Sequence, residues 1–311
     1  MSAPVVILTG GVGGAKLVLG LCQAVPASAV TAIVNTGDDF THLGLAISPD
    51  IDTLLYTLSR KANVALGWGR EGESWSFMEA IRSLGGEDWF QLGDGDLALH
   101  VLRTQRLRAG IPLSTIIADF VASWKIEARL LPMSDDVIAT RLDTDEGPLD
   151  FQDYFVRRRC EPTVRSIQFD GAQQATMAPG VLDAIMNPTC RAILIAPSNP
   201  FLSIDPILSV PGIRSALAAA SAPVVAVSPI VGGTSVKGPT AKMMIELGLD
   251  VSATTVAGHY EGVIDAILVD ERDPPLTLGI ASAQADTLMK SLDDRIRVAN
   301  AALDLADALR S

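Results

Sequence analysis

The chain contains few cysteines and few histidines. Of its 311 residues only three are cysteine and three are histidine, and Cys22, Cys160 and Cys190 lie far apart. An odd, scattered set of thiols excludes a disulfide framework and a Cys-x-x-Cys metal site. Such usage is typical of the reducing cytoplasm, where we expect this protein to be found.

The chain also lacks a basic excess and long apolar runs. Asp and Glu outnumber Lys and Arg by 36 to 24, giving a formal net charge of −12. This charge argues against a nucleic acid as the main partner, because phosphate backbones repel a negative surface. No apolar run approaches the roughly 18 residues of a membrane span, and the N-terminus has no signal-peptide pattern, so we expect no membrane association.

Short β-branched runs alternate with helix-like segments along the chain. Residues 5–8, 29–34, 192–196 and 223–227 have the continuous apolar character of buried parallel strands. Helical patterns follow at 15–24, 212–220 and 240–247, and a long amphipathic helix is predicted at 288–309. The alternation predicts an α/β fold with a doubly wound, mostly parallel, Rossmann-like sheet. Its ligands would bind beyond the carboxyl ends of the strands.

Residues 68–124 differ from the rest of the chain in their composition. They have little strand character and contain all four tryptophans. Three helices are predicted here, at 74–84, 94–108 and 113–123. We interpret the stretch as a small helical insertion within a single α/β domain that spans residues 1–311. Most of the tryptophans are expected in the core of the insertion, with one or two free to face a flat ligand.

The most informative stretch is the glycine-rich run at residues 9–16, Thr-Gly-Gly-Val-Gly-Gly-Ala-Lys. It lies between the first predicted strand and a helix-like segment, which indicates a strand, a turn and a helix. The backbone N–H groups of such a turn, at the positive end of a helix dipole, favour phosphate. Ala15 and Leu17 break the P-loop pattern, and Lys16 stands where a dinucleotide fingerprint needs a third glycine. The run predicts phosphate binding and leaves the kind of phosphate open.

Two acidic pairs follow the second predicted strand. Asp38 and Asp39 lie in the turn after it, and Asp50 and Asp52 lie at the start of the next helix. Either pair alone could close a turn or cap a helix. Together, beside a phosphate turn, they suit a hard divalent cation such as Mg²⁺.

Two further turns follow predicted strands at the same edge of the sheet. Residues 196–200 read Ala-Pro-Ser-Asn-Pro, which is either a plain turn or a base and ribose contact. Residues 228–239 contain a Gly-Gly pair and Lys237, and we interpret them as a second glycine turn before a helix. Two such turns, each with a lysine, indicate a diphosphate. No nucleophile elbow accompanies them, so the chemistry indicated is positioning and charge neutralisation of a phosphate, as in phosphoryl transfer.

Seven motifs in order resemble the 2-phospho-L-lactate transferase family of coenzyme F(420) biosynthesis. They are residues 10–16, 35–39, 48–52, Pro-Met-Ser-Asp-Asp at 132–136, Phe-Gln-Asp-Tyr-Phe at 151–155, 196–200 and 228–239. Members of the family transfer a phosphorylated small acid from its guanosine diphosphate conjugate to the ribityl hydroxyl of 7,8-didemethyl-8-hydroxy-5-deazariboflavin, and GMP leaves. The resemblance implies the same reaction here, with Mg²⁺ as cofactor and a homodimer as the assembly. It leaves the acid open among 2-phospholactate, enolpyruvyl phosphate and 3-phosphoglycerate.

The resemblance also implies roles for individual residues. Asp38 and Asp52 would contact the metal and the attacking hydroxyl, and Asp39 and Asp50 would be further metal ligands. The helical insertion would cover the deazaflavin. The nucleotide would be held by Gly11, Val12, Gly13, Gly14, Lys16, Ser198, Asn199, Ser203, Lys237 and Gly238.

One position departs from the family pattern, and two other functions stay open. The family usually has a basic residue inside Gly-Asp-x-Asp where this chain has Gly95, and Arg103 or Arg70 could take over its contact. The alternatives are a regulatory protein of the same superfamily that binds nucleotide sugars and a nicotinamide-dependent dehydrogenase. The broken fingerprint at Lys16 disfavours the dehydrogenase, and the motifs at 132–136 and 151–159 favour the transferase over the regulator.

Overall fold

The computed structural model describes residues 3–63, 66–276 and 279–310. Its strands are β1 (Val5–Thr9), β2 (Val30–Val34), β3 (Phe40–His42), β4 (Leu45–Ile47), β5 (Arg129–Pro132), β6 (Ala139–Thr144), β7 (Gly147–Asp150), β8 (Val164–Asp170), β9 (Ala192–Ile195), β10 (Val224–Val227), β11 (Ile230–Val231), β12 (Thr234–Ser235), β13 (Ala266–Asp270) and β14 (Ala281–Ala285).

The α-helices run between these strands. They are α1 (Gly11–Ala24), α2 (Pro49–Leu58), α3 (Ser76–Ser83), α4 (Leu97–Arg108), α5 (Leu113–Ser123), α6 (Val181–Ile185), α7 (Asp205–Ser209), α8 (Ile213–Ala219), α9 (Thr240–Glu246), α10 (Ala253–His259) and α11 (Leu292–Ala308). Short 3₁₀ helices lie at Ala27–Ala29 and Ala172–Gln174, and π-helical turns lie at Asp153–Arg157 and Pro200–Ile204. Within the described ranges no helix is both long and apolar enough to cross a bilayer.

Seven strands form a central sheet in the order β14-β13-β10-β9-β1-β2-β5, and every neighbouring pair is parallel. The chain runs outward from β1 through β2 to β5, then crosses to β9 on the other side of β1 and continues outward to β14. The direction of winding therefore reverses between β1 and β9. Doubly wound sheets open a ligand crevice at the carboxyl ends of the strands at such a point. The predicted α/β, doubly wound, Rossmann-like sheet is confirmed.

Both faces of the sheet are covered, because side chains alternate along each strand. In β1, Val6 and Leu8 join the core on one face, while Val5 and Ile7 join the core on the other. Helices α6 to α10 cover the first face, and α1, α2, α5 and α11 cover the second. Strands that are buried on both faces therefore need continuous apolar runs in the sequence.

Residues 68–124 contain α3, α4 and α5, as their helical patterns predict, and α5 has the predicted bounds. A small apolar cluster beside them consists of Ile47, Met78 and Leu92, with Trp75 and Phe90 packed against it. The antiparallel pair β3–β4 supplies part of this cluster and was not predicted, because three-residue strands give too short a pattern. The division into one domain with an insertion stays a prediction.

Two predictions about the glycine-rich turns need correction. Helix α1 begins at Gly11 and not at residue 15, so most of the glycine run forms its first turn. The second predicted glycine turn is the tip of the β11–β12 hairpin, where Gly232 and Gly233 have φ angles of 60° and 74°. Two-residue hairpin loops need such positive φ angles, which explains the Gly-Gly pair. Helix α9 begins only at Thr240, so these two glycines do not open a helix.

Candidate active site

A cavity of about 630 Å³ opens at the carboxyl ends of β1, β2, β9 and β10. The start of α1 lines it, together with residues 67–69 and 89–91 in and beside the helical stretch. Residues 228–229, Val231, residues 236–240 and residues 287–289 line it as well. The cavity therefore lies at the point where the winding of the sheet reverses, as the fold predicts for a ligand site.

The first turn of α1 packs so closely against its neighbours that glycine is required. A Cβ at Gly14 would overlap Thr9 Oγ1 and lie 2.7 Å from Ser198 Oγ. A Cβ at Gly13 would lie 3.0 Å from the carbonyl oxygen of Pro197. The first N–H groups of a helix have no acceptor within the helix. In α1 the N–H of Gly11 donates to Asp50, and Val12 and Gly13 line the cavity, whereas Gly14 does not.

The turn after β9 holds the start of α1 in place. Ser198 Oγ donates a 2.6 Å hydrogen bond to the carbonyl oxygen of Gly10. Asn199 Oδ1 accepts bonds of 2.9 and 3.1 Å from the N–H groups of Phe201 and Leu202. Ser198 and Asn199 both line the cavity, as does Ser203. The residues of this turn that are predicted to bind the nucleotide therefore line the cavity. Ser198 and Asn199 also hold the local backbone in place through these hydrogen bonds.

Two aspartates share one amide group in the middle of the cavity. Asn35 Nδ2 donates to Asp38 Oδ1 at 3.2 Å and to Asp50 Oδ2 at 3.0 Å, and Asp50 Oδ1 also accepts from the N–H of Gly11 at 2.5 Å. Burial, and then the neighbouring carboxylates, raise the pKa of Asp38 well above its ordinary value. Burial raises the pKa of Asp50 to about 6. The charged form of each carboxylate is therefore disfavoured, and a bound cation would stabilise it.

The other two predicted aspartates have separate partners. Asp39 does not line the cavity; its Oδ2 accepts a 2.6 Å bond from Ser48, and burial raises its pKa well above the ordinary value. Asp52 lines the cavity and forms a two-pronged ion pair with Arg103, in which Nη1 lies 3.1 Å from Oδ2. The Arg103 side chain is fully buried and also donates to the carbonyl oxygen of Ala46 at 3.2 Å.

A buried polar network continues from Asp52 into the helical stretch. The Tyr56 hydroxyl donates a hydrogen bond to Asp96 Oδ1, and His100 Nε2 lies 3.1 Å from Asp96 Oδ2. On its other side, His100 Nδ1 lies 3.7 Å from Asp52 Oδ2. Tyr56, Asp96 and His100 all line the cavity. The sequence analysis assigns no role to these three residues. A spacing of four residues, from Asp52 to Tyr56 and from Asp96 to His100, does place the two members of each pair on the same face of a helix and could have indicated the network.

The end of the cavity beside the helical stretch is aromatic. Trp68, Trp89 and Phe90 line it from one side. Phe151 and Phe155 line it from the other, with ring centroids 5.3 Å apart and nearly parallel planes. Trp68 is half exposed, which leaves its ring free to contact a ligand. Flat faces of this kind suit a planar ring system.

Two of the predicted cations, Lys16 and Lys237, also line the cavity. Lys16 Nζ donates to the carbonyl oxygen of Met289 at 3.0 Å. Burial, and then the charges of Lys237 and Arg295, lower the pKa of Lys16. Lys237 Nζ lies beside Gly67, 2.8 Å from the position that a Cβ there would take. Gly238 also lines the cavity, so the lysine and the glycine after the hairpin lie at the site although the Gly-Gly pair does not.

The structure shows what replaces a side chain at Gly95. A Cβ there would overlap Nη1 of Arg70, which forms a 3.0 Å ion pair with Glu73. The Gly95 N–H donates to the same glutamate at 2.6 Å. Arg103, the other candidate for the missing basic residue, is bound to Asp52. Of the two arginines, Arg70 therefore occupies the space that a side chain at position 95 would take.

The residues present suit Mg²⁺ if a ligand completes its coordination. Among residues 3–63, 66–276 and 279–310, no group of three or more His, Cys, Asp or Glu side chains could hold a metal ion alone. Mg²⁺, however, usually binds through one or two carboxylates together with phosphate oxygens and water. Asp38 and Asp50, crowded and incompletely neutralised, fit that requirement, and Asp52 can offer a lone pair while it keeps Arg103.

The chain is thus an α/β protein whose cavity combines a glycine-rich helix start with buried carboxylates. Residues 5–304 match the family model described as 2-phospho-L-lactate transferase CofD. The chain belongs to this family of transferases.

Relatives of known name cover nearly the whole chain. The phosphoenolpyruvate transferase of Streptomyces coelicolor is 42% identical over 317 residues, which cover 98% of this chain and 99% of that one. The 2-phospho-L-lactate transferase of Methanosarcina mazei is 39% identical and covers 93% of this chain and 95% of its own. A crystal structure of a UPF0052 family protein from Bacillus halodurans matches with a TM-score of 0.64 and 18% identity, covering 97% of this chain and 100% of that one. At that identity the structural match shows the fold alone.

Proposed function

We propose that this protein transfers a phosphorylated small acid from a guanosine diphosphate conjugate to the ribityl hydroxyl of a deazaflavin, with release of GMP. The observation that carries the proposal is the set of groups that share one cavity. A glycine-rich helix start, three buried aspartates, two lysines and several aromatic side chains all line it. The names of the relatives, phosphoenolpyruvate transferase and 2-phospho-L-lactate transferase, support the transfer of a phosphorylated small acid.

The nucleotide would lie at the start of α1, beside the two lysines of the cavity. The N–H groups of Val12 and Gly13 at the start of α1 would bind one phosphate, and Lys16 and Lys237 would neutralise the diphosphate. Residues 197–199 and 228–229 would border the ribose and the base.

The deazaflavin would occupy the aromatic end, where its ring system can lie against Trp68, Trp89 and Phe155. Its ribityl chain would then extend toward Asp38 and Asp52. An acceptor hydroxyl and a donor phosphorus would then meet at the same aspartates, which is the positioning that phosphoryl transfer requires.

The aspartates would divide the chemistry between them. Asp38 and Asp50 would hold Mg²⁺ with oxygens of the diphosphate, and the bound ion would offset charge that develops on the phosphate oxygens. Asp52, fixed by Arg103, would accept a hydrogen bond from the attacking hydroxyl and then its proton. The new bond joins that oxygen to the phosphorus bearing the acid, and the bond from this phosphorus to the oxygen of GMP breaks. Asp39 would support the site from behind through Ser48.

The direct test is a coupled reaction followed by mass spectrometry. The protein is incubated with the deazaflavin alcohol, GTP, Mg²⁺, a guanylyltransferase and one phospho-acid at a time: 2-phospholactate, phosphoenolpyruvate or 3-phosphoglycerate. We expect the acceptor to gain the mass of one phospho-acid, and that mass identifies the acid. Omission of Mg²⁺ or addition of EDTA should abolish the gain. An unchanged acceptor with all three acids would contradict the proposal.

A ligand comparison separates this function from the two alternatives. Thermal unfolding is measured with GDP and Mg²⁺, with a uridine diphosphate sugar, and with NAD. We expect GDP with Mg²⁺ to raise the melting temperature most, because a ligand that binds only the folded state stabilises it. The largest shift with the nucleotide sugar would favour the regulatory protein instead. The homodimer that the resemblance implies is tested by light scattering on the same samples.

A further inference from the structure

We propose that Glu73 is a positioning residue for the acceptor, because it fastens the loop that carries Trp68 to the segment that carries Asp96. The inference rests on the proposed function for the identity of the acceptor. The sequence analysis assigns no role to Glu73, and its side chain lies outside the set that lines the cavity. Its effect on the site would therefore pass through other residues.

Three glycines set the conformation of the Trp68 loop, which we define as residues 66–72. Gly67, Gly69 and Gly72 have φ angles of 70–72°, in the left-handed region that glycine adopts without strain. Trp68 lies between the first two of them, lines the cavity and is half exposed. Glycine loses more conformational freedom on folding than any other residue, so a contact that restrains this loop has a large effect on where Trp68 lies.

The carboxylate of Glu73 joins this loop to residues 93–96. Its Oε1 forms a 3.0 Å ion pair with Nη1 of Arg70, and its Oε2 accepts a 2.6 Å hydrogen bond from the Gly95 N–H. The Glu73 side chain is only 5% exposed. A Cβ at Gly93 would overlap Glu73, and a Cβ at Gly95 would overlap Arg70, so both glycines make room for the contact. We call these two bonds the Glu73 bridge.

A second acid in the same place shows that helix α3 does not need Glu73. Asp94 accepts hydrogen bonds from the N–H groups of Ser76 at 3.1 Å and Phe77 at 3.0 Å, and thereby satisfies the start of α3. Burial of a carboxylate is costly unless its partners compensate it. Glu73 has one such partner in the Trp68 loop and the other in residues 93–96, so its burial serves the connection between them.

The segment at residues 93–96 leads directly into the polar network of the site. Its last residue, Asp96, lies 3.1 Å from His100 Nε2, and His100 Nδ1 lies 3.7 Å from Asp52. The Glu73 bridge therefore fixes the ring of Trp68 relative to the carboxylate that is proposed to accept the hydroxyl proton. Such a fixed separation favours an acceptor that binds with its ring at the aromatic end and its hydroxyl at Asp52.

Hydrogen exchange of the free protein tests the bridge without any substrate. Wild type, Glu73→Gln and the control Glu79→Gln are compared by mass spectrometry, and urea unfolding verifies that each variant folds. Glu79 is exposed on α3, so the control removes the same charge without touching the bridge. In Glu73→Gln an amide replaces only one of two acceptor oxygens, so exchange in residues 66–72 and 93–96 should rise together by about tenfold. The control should exchange as wild type. Unchanged exchange in either segment of Glu73→Gln would overturn the inference.

Steady-state kinetics then test the consequence for the acceptor. We expect Glu73→Gln to raise the KM for the deazaflavin about three- to tenfold, the scale of one aromatic contact, while calorimetric binding of GDP stays as in wild type. In a Trp68→Ala background the same substitution should add little, because that contact is already lost. Additive losses, or an equal loss of GDP affinity, would overturn the inference. Wild-type protein that binds GDP but no deazaflavin would instead contradict the proposed function, and the exchange rates would then decide on the bridge.

Discussion

Removing Arg103 should destabilise the protein more than almost any other single substitution. In Arg103→Met the carboxylate of Asp52 stays buried, at 5% exposure, but loses both hydrogen bonds of its ion pair. Breaking a buried ion pair by removing one partner costs about 3–5 kcal/mol, because the remaining charge is left uncompensated. The converse variant, Asp52→Leu, should cost a similar amount by leaving Arg103 without its main partner.

A double-mutant cycle measures this coupling. The free energy of unfolding in urea is determined for wild type, Arg103→Met, Asp52→Leu and the double variant. Replacing a buried ion pair by apolar residues is often close to neutral, so the double variant should lose far less than the sum of the single losses. Turnover should stay near zero in the double variant, because Asp52 no longer accepts the hydroxyl proton.

The double variant therefore separates folding from chemistry. Recovered stability without recovered turnover is the expected result. Single losses that simply add, or a double variant with wild-type turnover, would show that the reasoning about the pair is wrong.

Three further predictions concern other parts of the structure. Gly14→Ala should cost about 1–3 kcal/mol in urea unfolding, because the new Cβ overlaps Thr9, whereas Gly258→Ala in α10 meets open space and should be neutral or mildly stabilising. Burial alone would raise the pKa of Asp270, but hydrogen bonds from Thr287 and Arg272 hold it below the ordinary value. Its contribution to stability is therefore full above pH about 4 and is lost as pH falls through the folded-state pKa, so the difference between wild type and Asp270→Asn should shrink toward pH 3. Binding of the deazaflavin should quench tryptophan fluorescence, and Trp68→Phe should reduce the quenching; an equal quench in that variant would place the acceptor elsewhere.

Much of the fold could be predicted because buried parallel strands leave a clear pattern. The runs at 5–8 and 192–196 are continuous and apolar, since β1 and β9 are covered on both faces. Strands with two or three residues, such as β11 and β12, leave no comparable pattern. Because no strand pattern marks this hairpin, the sequence predicts a phosphate turn at the Gly-Gly pair, where the structure has a hairpin tip.

The residues of the candidate site could likewise be predicted only in part. Glycines and acidic residues that lie close together in sequence, such as Asp38 and Asp50, could be identified from local motifs. Partners brought together by the fold could not, because no local pattern connects Arg103 with Asp52, 51 residues away. Nor does any connect Lys16 with the carbonyl oxygen of Met289, 273 residues away.

The identity of the nucleotide product tests the reaction most directly. Wild-type protein, the deazaflavin alcohol, Mg²⁺ and the guanosine diphosphate conjugate of the acid are followed by ³¹P NMR during a single reaction. Attack at the phosphorus that bears the acid predicts GMP and a new phosphodiester in equal amounts. Release of GDP, or of free phospho-acid without a new diester, would contradict the transfer that the cavity is proposed to perform.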